Sequence, residues 1–276
     1  MRYSYSYLLS LLLLFGPLFA SAQTPVLAPA PAPADSAKIG IMSYNIRVGK
    51  GMDQVNDLQR IADVINRERP DFVALQEVDS VTVRTGGVNQ IEELGRLTGL
   101  RASFAPAMTF SGGKYGVGIL SREEPISVRR VPLPGREEPR VLLIVEFRNF
   151  IVASTHFSLT EADRIASAEI IIAEARQIAE DWQIDKPMFI AGDLNALPES
   201  ATIRLLEQHF TLLSDKSAPT FPADRPDRCI DYIFGKFPAH LKFHITHRRV
   251  IPEAMASDHR PVMVEARWAS GICQLN

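Results

Sequence analysis

Cysteine is almost missing from this chain of 276 residues: only Cys229 and Cys273 occur, which excludes a disulfide-stapled scaffold and a Cys-rich zinc site. No HExxH run stands in for them, so the usual zinc-peptidase pattern is absent too. A charge excess of either sign is likewise lacking. The net charge is −2, and loss of an N-terminal segment containing Arg2 takes it only to −3. A protein that grips long nucleic acid through its overall field carries a strong basic excess, so that role is disfavoured, while a local basic cleft stays compatible. No repeat interrupts the chain beyond about residue 37.

What is present divides into three parts. Residues 1–22, MRYSYSYLLSLLLLFGPLFASA, combine one positive charge, an apolar run and Ala20-Ser21-Ala22 ahead of Gln23, the pattern of a cleavable secretory signal. The run is short for a membrane span and broken by Gly16-Pro17, which disfavours a retained anchor, and no Cys follows it to carry a lipid. The signal predicts a secreted or periplasmic protein with no stable membrane anchor after processing, in a setting that permits a Cys229–Cys273 bridge. Residues 23–37 are Pro/Ala-rich and read as an extended linker. Residues 38–276 have the length and globular composition, 46% hydrophobic and 22% charged, of one folded domain, expected to be monomeric.

Within that domain, short apolar runs alternate with helical patterns. Buried strands are predicted at 39–45, 72–78, 116–121, 141–147, 150–156, 188–194, 230–235 and 262–267. The runs at 141–147 and 150–156, separated by Arg148-Asn149, read as a hairpin, so antiparallel pairs are required. Leu58, Ile61 and Ile65 mark a helix that stops at Pro70. Ile165, Ala168, Ile172, Ala175 and Trp182 mark a longer one, opened by Thr160 as N-cap with Asp163 in the capping-box position. Weaker helices are predicted over 89–98 and 199–208.

Several strands end abruptly in a polar residue: Asn45, Glu77, His156, and Asp193 followed by Asn195. A single Asp or Asn after a strand is usually a turn former or cap. Five such positions, joined by Asp231 and by Ser257-Asp258-His259 before the last strand, make separate bland explanations a poor account. Side chains at a sheet rim can line a pocket without stranding a charge in the core. Carboxylate and amide oxygens suit a hard cation such as Mg²⁺ or Mn²⁺, which typically serves phosphates, and two histidines beside acids can move or hold protons.

The ordered series SYNIR, LQEVD, YGVGILSR, STHFSL, AGDLNALPES, PTFPADRPDRCIDYIFG and ASDHRPV resembles the motif set of the endonuclease/exonuclease/phosphatase family over residues 39–267. That family includes DNase I-like nucleases, abasic-site endonucleases, inositol-phosphate phosphatases and bacterial sphingomyelinases. The resemblance implies an α/β fold, a four-layer α/β/β/α sandwich with two mixed β-sheets and a site at one rim, in a catalytic domain spanning 38–276. It implies Glu77 as principal Mg²⁺ ligand with Asn45 and Asp258 beside it, and Asp193 and Asn195 at the attacking water and the phosphate. His259 becomes general base or phosphate-stabilising group, paired with Asp231, and His156 the second catalytic histidine. The implied reaction is in-line attack on phosphorus by a water that Asp193 orients.

Other residues have weaker claims. Arg47, Arg140, Arg225 and Arg228 could clamp a phosphate, although any one arginine is more often exposed or ion-paired; Arg228, just before the strand with Asp231, is the best placed. Tyr115 and Lys114 lie in SGGKYG (111–116), a loop that could cradle phosphate or simply turn the chain. His209, His240, His244 and His247 fit surface positions. The isolated pairs Arg129-Arg130 and Arg248-Arg249 give thin support for a nuclease, and no segment clearly supplies the apolar hairpin of a sphingomyelinase. The favoured substrate is a phosphodiester or phosphomonoester of modest size, with nucleic acid or sphingomyelin as alternatives and an inactive binding protein on the same scaffold as the reading of another class.

Overall fold

The computed structural model of the protein describes residues 37–181 and 186–270 together with Met1. The signal segment past Met1, the linker up to residue 36, Trp182 and Cys273 therefore lie outside the described residues, whereas Cys229 is buried. One sheet contains β1 (Ala37–Asn45), β2 (Phe72–Ser80), β3 (Arg101–Phe110), β4 (Gly113–Ser121), β11 (Leu241–Val250) and β12 (Val262–Ser270). The other contains β5 (Ser127–Leu133), β6 (Arg140–Glu146), β7 (Ile151–His156), β8 (Met188–Asp193), β9 (Thr211–Leu212) and β10 (Asp231–Lys236). Their orders are β11-β12-β1-β2-β4-β3 and β5-β6-β7-β8-β10-β9. Both sheets are mixed: β1 and β2 run parallel, as do β7 and β8, and the other pairs are antiparallel.

Strand periodicity explains the layering. Successive side chains of β6 point to opposite faces, and all but the last are buried on both. Val141, Leu143 and Val145 meet Ile41, Ala74, Ile119 and Val264 of the first sheet in the central layer, where the Phe72 ring lies 4.8 Å from Phe147 and 4.6 Å from Phe150. Leu142 and Ile144 face outward to α3 (Glu161–Asp181), with α4 (Ala201–Glu207) beside it. On the far side, α1 (Leu58–Glu68) and α2 (Gln90–Thr98) pack Ile61, Ile65, Ile91 and Leu94 onto Met42, Tyr44, Val73 and Leu75. The result is the predicted four-layer α/β/β/α sandwich. Each fully buried Leu, Ile, Val or Phe contributes about 1.5–3 kcal/mol to it.

All eight predicted strands and all four helices are present, and the hairpin forms between β6 and β7 with Leu142 opposite Thr155. Two details differ. The buried stripe of α3 runs through Ala168, Ile171, Ala175 and Ile178, with Ile165 and Ile172 only half-buried. The expected capping box is also engaged elsewhere: the Thr160 hydroxyl donates to Glu137, and Asp163 accepts from Arg136 N and Ser158 Oγ. These bonds tie the β5–β6 loop to the segment that follows His156, over the rim of the sandwich.

Candidate active site

Two rows of strand ends face each other at that rim. In the second sheet His156 pairs with Asp193 across parallel strands and Asp193 pairs with Asp231 across antiparallel ones, so three chemically active side chains stand side by side. Close packing demands Gly192 here, because a Cβ at that position would lie 2.2 Å from the Thr155 carbonyl oxygen. In the first sheet Asn45 pairs with Gln76. A bulge between Leu75 and Val78, with Glu77 at φ 56°, turns the Glu77 carboxylate toward the second sheet. Asn195 also has positive φ, 47°. Non-glycine residues held there cost about 1–3 kcal/mol each and cluster at functional sites.

The two rows touch through Asn45. Its Nδ2 donates to Glu77 Oε1 at 2.9 Å and to Asp193 Oδ2 at 3.0 Å, and its Oδ1 accepts from Arg47 N at 3.0 Å. Asp258 reaches the same place from the loop before β12, where Ser257 Oγ donates to Asn45 O at 2.8 Å and Arg47 Nε lies 3.3 Å from Asp258 Oδ2. His259 follows, with Nδ1 3.0 Å from Asp231 Oδ2 and Nε2 3.6 Å from Asp193 Oδ2. On the other flank of Asp193, His156 Nε2 lies 3.5 Å from the same oxygen. Asn195 N donates to Asp193 Oδ1 at 2.9 Å, and Asn195 Nδ2 lies 3.1 Å from His156 Nε2.

Burial and neighbouring charge set the protonation states. Burial alone would lower the pKa of His259, but the Asp231 and Asp193 charges outweigh it and lift it to about 10, so the ring is a cation near neutrality. Burial, aided by the Arg140 charge, drives His156 well below its ordinary value, so that ring is neutral. Burial raises Asp193 to about 7 against the opposing pull of His259, and burial raises Glu77 against its bond from Asn45.

These groups open onto a cleft of about 510 Å³. Of the ten residues singled out from the sequence, Glu77, Tyr115, His156, Asp193, Asn195, Arg228, Asp258 and His259 line it, and Asn45 and Asp231 stand buried directly behind. Arg228 is exposed and lies over the Phe221 ring, 4.6 Å from its centroid; that ring in turn sits 4.7 Å from His259. Lys114 faces a different depression, and Arg225, His209, His244 and His247 are exposed away from the cleft lining.

Three neighbours were not assigned from the sequence. Thr220 Oγ1 donates to Asp231 Oδ2 at 2.5 Å, Phe221 covers His259, and Arg84 is clamped by Asp79 at 2.7 Å while lying over Phe110 and Tyr115. The PTF triplet lay inside a recognised motif, which is the signal that could have raised Thr220 and Phe221; nothing local marks Arg84. Arg140 is the reverse case: it is one of the four weaker phosphate-clamp candidates of the sequence, yet it is buried, with Nη1 3.0 Å from His156 Nδ1.

Two sets of atoms could hold a cation. Asp193, Asp231 and His259 offer ligand atoms within 4.8 Å of one another. Asp231, however, already accepts from Thr220 and faces His259 Nδ1. Glu77 and Asp258 offer carboxylate oxygens, while Asn45 turns its Nδ2 to Glu77 and its Oδ1 to Arg47 N. Glu77 is half-buried, and no ion pair joins it to a Lys, Arg or His among the described residues. A desolvated carboxylate without a cationic partner fits a hard divalent metal.

Two facing mixed sheets flanked by helices, with carboxylates and imidazoles at one rim, define a DNase I-like α/β sandwich. Residues 42–259 match the profile of the Endonuclease/Exonuclease/phosphatase family, and the chain belongs to that family, whose members are hydrolases acting on phosphoester bonds and generally use a divalent metal. Among solved structures, an endonuclease/exonuclease/phosphatase from Beutenbergia cavernae is similar at a TM-score of 0.66 and 23% identity, covering 83% of this chain and 71% of that one. The mannosyl-6-phosphatase of Bacteroides thetaiotaomicron aligns at a TM-score of 0.66 and 18% identity, over 83% and 99%. The human Nocturnin catalytic domain, solved with a bound sulfate anion, aligns at 0.64 and 16%, over 85% and 97%. At these identities the likeness is one of fold.

Proposed function

We propose that the protein is an exported, divalent-metal-dependent phosphoesterase, active as a monomer, that hydrolyses a compact phosphodiester or phosphomonoester by attack of water on phosphorus. The observation that carries this reading is the meeting of Glu77 and Asn45 from one sheet with His156, Asp193 and Asp231 from the other, and with Asp258 and His259 from a loop, around one cleft. Glu77, with Asn45 and Asp258 beside it, would hold Mg²⁺, or Mn²⁺ as a substitute, which when bound would supply charge neutralisation at the phosphate.

The chain's own residues supply the rest. Asp193, raised to about 7, takes a proton from the attacking water as its oxygen bonds phosphorus and the bond from phosphorus to the leaving oxygen breaks. His259, charged and steadied by Asp231, and His156 on the opposite flank face the negative charge that accumulates in the transition state. Because His259 already carries its proton near neutral pH, the stabilising role fits it better than that of general base. Asn195 contacts the phosphate, and Arg228 and Tyr115 contact the substrate from the cleft walls.

The cleft volume suits a ligand of one or two rings rather than a duplex. The sugar-phosphate activity carried in the name of the Bacteroides relative is in keeping with that size. Export rests on the composition of residues 1–22 and the Pro/Ala-rich stretch after them. The test is a hydrolysis panel with Mg²⁺ or Mn²⁺ on p-nitrophenyl phosphate, bis-(p-nitrophenyl) phosphate, a sugar phosphate, plasmid DNA, RNA and sphingomyelin. Turnover of the small esters is the expected result. Preference for DNA, RNA or sphingomyelin would replace the compact substrate, and no turnover of any ester would leave only a binding protein.

A further inference from the structure

Arg140 begins β6 next to the end of β7, where His156 stands. Its side chain forms part of the cleft wall and is buried. Nη1 lies 3.0 Å from His156 Nδ1 and also reaches Glu138 Oε1 at 2.8 Å, while Nε is buried with no hydrogen-bond partner. Leaving a buried donor unpaired is unfavourable, so this placement calls for a compensating role.

The chemistry of the two groups fixes the direction of the contact. An arginine has only hydrogens to offer, so His156 Nδ1 must be the acceptor and carry a lone pair. In a neutral imidazole the proton then resides on Nε2, the nitrogen that faces the cleft. Asp193 Oδ2 lies at 3.5 Å to accept it, whereas Asn195 Nδ2, at 3.1 Å, is a donor already bonded to Phe157 O at 2.9 Å, so turning its oxygen toward the ring gives up that bond. Glu138 balances the Arg140 charge, and His259 stands across Asp193 as the second imidazole.

We propose that Arg140 is a positioning residue that fixes His156 in the neutral tautomer with its proton on Nε2, so that this ring serves the reaction only as a hydrogen-bond donor to a phosphate oxygen. The inference rests on the phosphoesterase reading of the site. A carboxylate at the Arg140 position would accept from Nδ1–H and place the lone pair toward the substrate, the opposite arrangement.

The test reads the ring directly, by NMR of the whole protein labelled with ¹⁵N in its histidine rings. At neutral pH the wild type should show an acceptor-type Nδ1 and a protonated Nε2 for His156. A protonated Nδ1, or an imidazolium, would overturn the proposal without any variant being made. Arg140→Met, which removes the donor, should populate the other tautomer and lower kcat on bis-(p-nitrophenyl) phosphate by about 10²–10³-fold with KM within about 3-fold, the pattern of a lost transition-state donor. Arg140→Lys, which keeps one charged donor, should retain the wild-type ring signature and recover activity to within about tenfold of wild type. An Arg140→Met protein with unchanged kcat, or a Lys variant no better than Met, would refute the role, and should the Met variant not fold, the wild-type ring and the Lys variant still decide. A wild type with the correct ring but no activity on any phosphoester would instead fail the phosphoesterase reading.

Discussion

Asp231→Asn isolates the electrostatic contribution of a single buried carboxylate. The substitution keeps the shape of the side chain and an oxygen for His259 Nδ1–H, but removes the charge that heads the causes raising the ring's pKa. With that charge gone, burial and the remaining Asp193 charge oppose each other and return the ring toward its ordinary 6.5 from about 10. At pH 8 a ring titrating at about 10 is about 99% protonated and one returned to the ordinary 6.5 about 3%, so a full return would give about a 30-fold loss of activity from protonation alone, falling to about 2-fold at pH 6.5. The interval between 6.5 and about 10 corresponds to about 5 kcal/mol of preference for the charged ring in the folded state. Because the folded value is the higher one, that stabilisation is complete below pH 6.5 and vanishes as pH rises through about 10. The assay is kcat/KM on bis-(p-nitrophenyl) phosphate from pH 5.5 to 9.5, read as the ratio of variant to wild type. A ratio that does not change with pH, or a variant as active as wild type at pH 8, would refute the reasoning.

Arg228→Ala should raise KM by about tenfold and leave kcat within about 3-fold, since the side chain is half-exposed and its charge is screened by solvent; steady-state kinetics decide, and an unchanged KM would reduce it to a surface arginine. Gly192→Ala places a Cβ 2.2 Å from the Thr155 carbonyl oxygen between paired strands and should destabilise by about 3 kcal/mol or more in urea unfolding, a wild-type midpoint being the contrary result. Phe72→Ala removes a ring packed on Phe147 and Phe150 and should cost about 3–5 kcal/mol of stability while leaving the kcat of the folded fraction intact.

The central strands were legible because burial on both faces gives near-continuous apolar runs such as VLLIVE in β6. The strands that were not read, β3, β5, β9 and β11, are the outer strands of the two sheets. Each mixes exposed and half-buried residues; β3 carries Pro106 at a bulge, β5 carries Pro132, and β9 has only two residues. Solvated edges therefore look like loops in sequence. At the site, residue types and their positions at strand ends were legible, whereas their order across the rim was not. No pattern in the sequence shows that Asn45 bridges Glu77 and Asp193, or that Thr220 braces Asp231. Arg228 is favoured in sequence because it precedes the strand with Asp231, whereas only tertiary structure shows that the buried Arg140 touches a histidine.

The most direct measurement is turnover of bis-(p-nitrophenyl) phosphate against Mg²⁺ concentration for wild type and Glu77→Gln, with chelator and metal add-back. Wild-type activity should vanish with chelator and return with metal, and Glu77→Gln, which keeps the contact with Asn45 but loses the charge, should fall by about 10³-fold and need far more metal. Turnover that survives chelation, equal in both proteins, would contradict the account.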